Sequence, residues 1–172
     1  MAIYLTADPH FDHEMVMSAC GRPWATVTEM NTGLINNINS VVTKKDTLYI
    51  LGDLSMSRHP PDISRYISRL NGRLILILGN HDCLTPDAYI EMGFKSVHTS
   101  LAIDLHGMCT AVLHHDPAAH CVVRPRPLLC GHVHTLFKTI GNTVNVGLDV
   151  WGYRPVALTA IIGLLQLSGP QI

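Results

Sequence analysis

The sequence predicts a single α/β domain whose strands carry polar residues to a common edge. Three observations support this. Short apolar runs alternate with segments of helical period. The runs are continuous rather than alternating, as in strands buried on both faces. Five of the runs stop at a residue able to bind metal. The stretch "LILILGNHDC", Leu74 to Cys83, shows the pattern in full: an aliphatic run, a glycine, then Asn80, His81 and Asp82.

The elements follow in order. "AIYLTA" reads as the first strand and leads into "DPHFDHE". A helix is expected from Thr26 to Val42, with Thr26 and Glu29 as a capping box and Met30, Leu34, Ile38 and Val41/Val42 at helical spacing. "TLYIL" is ended by Gly52 and Asp53. A helix near Asp62–Leu70 leads into "RLILIL" and Gly79–Asp82. A short helix around Pro86–Met92 precedes extended segments across Ser96–Leu105. "CTAVL" is ended by His114 and His115, and "PLLC" by "GHVH". From Lys138 onward the chain reads mostly as strand. No repeat, linker or low-complexity run divides residues 1–172, so one domain is expected.

Composition narrows the function classes. Hydrophobic residues make up 47% and charged residues 15%, as in a globular protein. A net charge of −1 without blocks of like charge argues against a sequence-independent grip on a nucleic acid backbone, so no strong nucleic-acid-binding surface is expected. The start "MAIYLTAD" has no basic segment followed by an apolar one, so no secretory leader is expected. "PVALTAIIGLLQL" is too short to span a bilayer and reads as core, which argues against a membrane partner. Five cysteines without a C-x-x-C read as reduced thiols of a cytoplasmic protein. Histidine stands out, at eleven against thirteen Asp plus Glu.

In sheets of this kind ligands collect beyond the carboxyl ends of the strands. Strands running the same way would bring Asp8, His10, Asp53, Asn80, His81, His115, His132 and His134 together. Asp8/His10 and His132/His134 are i, i+2 pairs, which on extended backbone leave the same face. Glycines 52, 79 and 131 allow sharp turns and close backbone approach. Carboxylate plus imidazole suits Mn, Fe, Zn or Ni, whereas all-oxygen sites suit Mg or Ca. Each piece is weak by itself, since Gly and Asp favour ordinary turns. Five independent turns would not all select metal-type residues. His59, His98, His106 and His120 read as surface or loop residues, Arg124 and Arg126 as a solvated loop, and Cys83 as a small packed residue. His13 stays open between a solvated loop and a substrate contact.

Taken together, D-x-H at Asp8/His10, G-D at Gly52/Asp53, G-N-H-D at Gly79–Asp82, a histidine after a strand at His115 and G-H-x-H at Gly131–His134 resemble the calcineurin-like metallophosphoesterases, in that family's order. The flanks "DPHFDHE" and "NVGLDVWGYRPV" resemble its small phage and bacterial members. The resemblance implies a four-layer α/β/β/α sandwich of two mixed sheets flanked by helices. It implies two divalent ions, manganese first, with Fe, Zn or Ni as the others. One ion would be held by Asp8, His10, Asp53 and His134. The other would be held by Asp53, Asn80, His115 and His132, with Asp53 bridging. His81 would be the catalytic histidine beside the scissile phosphate. Aligning "HHDP" on Pro117 selects His115 over His114, and Asp12 stands where the small members often carry glycine.

The implied activity is phosphoester hydrolysis by a metal-bridged hydroxide, with diesters favoured over monoesters. The partner is then a small phosphoester substrate, with nucleotides among the candidates. The rival readings are a nuclease acting on short DNA or RNA and a metal-binding module without turnover. The sequence leaves oligomeric state open.

Overall fold

A computed structural model describes residues 1–118 and 126–167, so His120, Cys121 and Arg124 lie outside the described residues. The strands are β1 (Ile3–Thr6), β2 (Thr47–Leu51), β3 (Arg73–Ile77), β4 (Ser96–His98), β5 (Ser100–Asp104), β6 (Thr110–His114), β7 (Leu128–Cys130), β8 (Thr139–Ile140), β9 (Thr143–Asn145) and β10 (Val156–Ala157). One sheet has the order β10-β1-β2-β3-β4 and the other β5-β6-β7-β9-β8. Strands β1 to β4 are parallel, with β10 antiparallel at the edge. Strands β6, β7 and β9 are parallel, with β5 and β8 antiparallel outside them. Both sheets are therefore mixed.

Side chains alternate across a strand, and this divides each apolar run between two cores. Leu48, Ile50, Leu74 and Leu76 pack with Met30, Leu34 and Ile38 of α2 (Val27–Asn39), Ile63 of α3 (Pro60–Ile67) and Tyr89 of α4 (Pro86–Glu91). Their neighbours Leu5, Leu51 and Ile77 face the second sheet and meet Ala111, Leu113, Leu129 and Val144. Val112, Leu128 and Cys130 form a smaller cluster with Phe137 on that sheet's other side. Strands with two buried faces have no polar side to show, and this explains the unbroken apolar runs. The result is two mixed sheets packed face to face and flanked by helices.

The capping box at the start of α2 is present: the Glu29 N–H donates to Thr26 Oγ1 at 3.2 Å, and the Glu29 carboxylate accepts the Ala25 N–H at 3.1 Å. Two expectations fail. The last segment is a helix, α5 (Leu158–Leu167), and only the two- and three-residue strands β8, β9 and β10 remain from the expected strands. Leu158, Ile161 and Leu165 enter the inter-sheet core. Because the segment is apolar on nearly every side, its helical period is masked. A further helix, α1 (Glu14–Cys20), was not expected; it is closed by Gly21 in the left-handed conformation at φ 64°. Among the described residues no helix is long and apolar enough to cross a membrane.

Candidate metal centre

The carboxyl ends of β1, β2 and β3 from one sheet and of β6 and β7 from the other meet at one edge. His115, just past β6, donates from Nδ1 to the Leu51 carbonyl at 2.8 Å, which joins the two sheets. The fit leaves no room for side chains at two glycines. A Cβ on Gly52 would lie 2.5 Å from His115 Nδ1, and one on Gly131 would lie 2.5 Å from the Ala7 side chain.

The i, i+2 pairs do not sit on extended backbone as expected. Asp8 (φ 58°), His10 (φ 50°), His132 (φ 69°) and His134 (φ 43°) are all left-handed, as is Asp53 (φ 53°). Such residues cost energy and persist only where surrounding contacts enforce them, commonly at functional sites. Here the Asp8 N–H donates to the Gly52 carbonyl at 3.1 Å and the His10 N–H to the Asp53 carbonyl at 3.0 Å. The His132 N–H reaches both Asp8 carboxylate oxygens, at 3.1 and 3.0 Å.

These turns gather donor atoms into the groups Asp8/His10/His134 and Asp53/His115/His132, and His134 also lies in a third group with Cys20 and Asp149. Asp53 Oδ2 lies between the first two, 3.5 Å from His10 Nε2 and 3.3 Å from His115 Nε2. Asn80 Oδ1 is 3.1 Å and His132 Nδ1 3.2 Å from the same His115 nitrogen. Hydrogen bonds outside the cluster select the tautomers. The Leu51 carbonyl and the Asp149 carboxylate only accept, so His115 and His134 carry a proton on Nδ1 and turn Nε2 inward. His10 Nδ1 is 3.2 Å from His13 Nδ1, while its buried Nε2 has no hydrogen-bond partner.

This donor set fits a divalent metal. Nitrogen and oxygen ligands about 2.0–2.1 Å from a tetrahedral ion lie roughly 3.3 Å apart, close to the spacings around His115. Burial pushes the Asp8 carboxyl up to about 7 and the His10 imidazole down to about 3. Burial also opposes charge on Asp53 and His115, but their mutual contact prevails and holds Asp53 at about 2 and His115 at about 9. The site thus places two buried carboxylates among imidazoles, an arrangement that a cation would relieve.

Arg22, Asp149 and Asp82, none of them among the predicted site residues, hold this group in place. Arg22 makes a bidentate ion pair with Asp149, with Nε to Oδ1 at 2.8 Å and an NH2 nitrogen to Oδ2 at 3.0 Å. Arg22 also donates to the backbone carbonyls of Asp8 at 2.7 Å and Pro9 at 2.9 Å. Burial opposes charge on Asp149, but His134 and Arg22 hold its carboxyl below the ordinary range, and it accepts a hydrogen bond from His134 Nδ1 at 2.8 Å. Among the described residues Asp82 pairs with no histidine. Its carboxylate accepts the N–H groups of Gly79, Asp53 and Leu54 at 2.8, 2.9 and 3.0 Å and so ties the end of β3 to the end of β2. Each of these roles depends on partners remote in the chain.

The other candidates fall as follows. His81 is part-exposed (38%), and its Nε2 lies 3.9 Å from Asp53 Oδ2. His114 turns away from this group, with Nδ1 2.8 Å from the Asp116 carbonyl. Asp12 has φ 63°, a conformation natural to glycine, and its carboxylate is occupied by Asn31, Arg65 and Tyr66. His59 and His106 are exposed, whereas His98 is half-buried in β4 beside Ser96. Arg126 is exposed, and so is Cys83, which does not pack as expected.

A cleft of about 460 Å³ opens onto the cluster, lined by site histidines on one side and by α1 on the other. The family model described as calcineurin-like phosphoesterase matches residues 1–151. An uncharacterized protein of Methanocaldococcus jannaschii is 31% identical, with 95% of this chain and 91% of that protein covered. The gene 66 protein of Mycobacterium phage L5 is 33% identical, with 87% of each chain covered. The crystal structure of a protein of unknown function from Aquifex aeolicus superposes with a TM-score of 0.73 at 22% identity, covering 95% of this chain and 98% of the other, a likeness of fold alone.

Proposed function

The chain belongs to the calcineurin-like phosphoesterases, which act by metal-dependent phosphoester hydrolysis, and on that premise we propose that it hydrolyses phosphodiesters at a two-metal centre. Asp8, His10, Asp53 and His134 would hold one ion, and Asp53, Asn80, His115 and His132 the other. Manganese is the foremost metal, with Fe, Zn or Ni as alternatives. The observation that carries this reading is the position of Asp53 Oδ2 between His10 Nε2 at 3.5 Å and His115 Nε2 at 3.3 Å, where one carboxylate can serve both groups. Bound divalent ions would acidify a water and offset the charge that builds on the phosphoryl oxygens.

The chain's own residues supply orientation and a proton. The His81 backbone N–H donates to Asp53 Oδ1 at 3.0 Å, which ties this residue's backbone to the cluster. Half-open to the cleft and next to Asn80, His81 gives its proton to the departing alkoxide. His13, which lines the cleft and meets His10 through Nδ1, has Nε2 left to contact the phosphoryl group. The preference for diesters rests on the family resemblance. The free thiols Cys20, Cys83, Cys109 and Cys130 support a reducing compartment such as the cytoplasm.

The test is hydrolysis of bis(4-nitrophenyl) phosphate by protein stripped of metal and reloaded with Mn²⁺. Turnover that depends on Mn²⁺ is expected. His81→Gln should keep its metal and lose on the order of 10²–10⁴ in rate with alkyl leaving groups, but little with nitrophenolate, which departs unaided. Full metal loading without turnover of diesters, monoesters or short oligonucleotides would leave a metal-binding module.

A further inference from the structure

We propose that the exposed face of α1 is a binding wall for the organic group of the substrate, and that this group is uncharged and largely apolar. The inference rests on the phosphoesterase reading above and adds a substrate class to it. The cleft has two unlike halves. His10, His13, Asp53, Asn80, His81, His132 and His134 form one, and Met15, Val16, Ser18, Ala19 and Cys20 of α1 form the other. Its volume of about 460 Å³ lies in the range of small-molecule sites, which pair mostly apolar walls with a few polar groups.

The two halves are tied together. His13, in contact with His10, is also the N-cap of α1, so the helix begins where the site histidines end. At its other end the Arg22 N–H donates to the Met17 carbonyl at 2.8 Å, while the Arg22 guanidinium holds the Asp8 and Pro9 carbonyls. The wall is therefore fixed relative to the floor of the cleft, and a ligand spanning both would not have to order it. The floor is the end that would hold metal, because His10 is 2% exposed, lines the cleft and has an Nε2 without a hydrogen-bond partner among the described residues.

Charge selects the class of group. The described residues lining the cleft include no lysine or arginine. A second phosphate or a continuing polynucleotide would gain no ion pair against α1. An aryl or alkyl group would instead cover Met15, which is 75% exposed, together with Ala19. Methionine adapts its shape to such groups.

Calorimetry with two monoanions that have no ester bond to cleave tests the wall separately from catalysis: methyl(phenyl)phosphinate and dimethylphosphinate, titrated into the Mn²⁺-loaded protein. The phenyl compound should bind tighter by on the order of tenfold, from apolar area covered. Ala19→Glu should bring the two within about twofold. Met15→Glu, at a largely exposed position, should do the same and serves if Ala19→Glu does not fold. Binding of both phosphinates with equal affinity, or a phenyl preference that survives both substitutions, would overturn the wall while leaving the phosphoesterase reading intact. Failure of either phosphinate to bind the metal-loaded protein would count against both.

Discussion

Arg22 and Asp149 stand 127 residues apart and form a buried bidentate ion pair, with Nε to Oδ1 at 2.8 Å. Asp149 Oδ2 also accepts a hydrogen bond from His134 Nδ1. One ion pair thus aims a metal-type histidine and, through Arg22, anchors the backbone of Asp8 and Pro9.

Asp149→Asn should therefore lower metal affinity by roughly 10–100-fold, the usual cost of removing a carboxylate behind a ligating histidine. Arg22→Ala should go further and destabilise the fold by about 3–5 kcal/mol, because it leaves a buried carboxylate unpaired. Metal titration and thermal melts would check both. Unchanged affinity in Asp149→Asn would show that His134 does not depend on this contact.

Asp53→Asn should weaken both metal positions, whereas Asp8→Asn should weaken mainly one. Asp53 Oδ2 lies near an imidazole nitrogen of each group, 3.5 Å from His10 Nε2 and 3.3 Å from His115 Nε2. Metal content after dialysis distinguishes the two variants, and near-normal occupancy in Asp53→Asn would contradict a shared carboxylate.

His115→Ala should abolish activity, and His114→Ala should reduce it far less. Neighbours in extended chain point to opposite faces, and His115 is the one that meets Asn80, Asp53 and His132. The reverse ranking in a diesterase assay would shift the assigned position by one residue.

Much of this was legible because it rests on local chemistry. Thr26 and Glu29 announce a helix start, and a carboxylate or imidazole placed after a buried strand marks a strand end. What depends on distant contacts was hidden. Nothing near Arg22 in the sequence announces Asp149. Asp8 and His132 carry no glycine to signal their left-handed backbone, which contacts with Gly52 and with the Asp8 carboxylate enforce. The helix α5 was misread because an apolar surface on all sides erases the period that distinguishes helix from strand. Asp12 stands where small family members often carry glycine, and the distant Arg65 and Tyr66 explain where its carboxylate goes.

The metal-free protein should lose stability as pH rises from about 6.5 to 9. Burial disfavours charge on His115, but Asp53 and Asp8 outweigh it and raise its pKa from 6.5 to about 9. Across that window the folded chain keeps a proton that the unfolded chain has lost, so stability present in full below pH 6.5 drains away toward 9. Asp8, raised to about 7 by burial, acts with the same sign from about 4 to 7. His10, lowered to about 3 by burial, acts with the opposite sign but only below 6.5. Added Mn²⁺ should reverse the decline, because metal takes the place of these protons. Melting temperatures with and without Mn²⁺ would show this, and a flat metal-free profile would mean that His115 carries no extra proton.

The count of divalent ions per chain tests the two-metal account most directly. Stripped protein reloaded with Mn²⁺ should hold two ions per chain by elemental analysis. An anomalous difference map should place one beside Asp8, His10 and His134 and the other beside Asn80, His115 and His132, with Asp53 touching both. A single ion at saturation, held by the Asp8 group without Asp53, would contradict it.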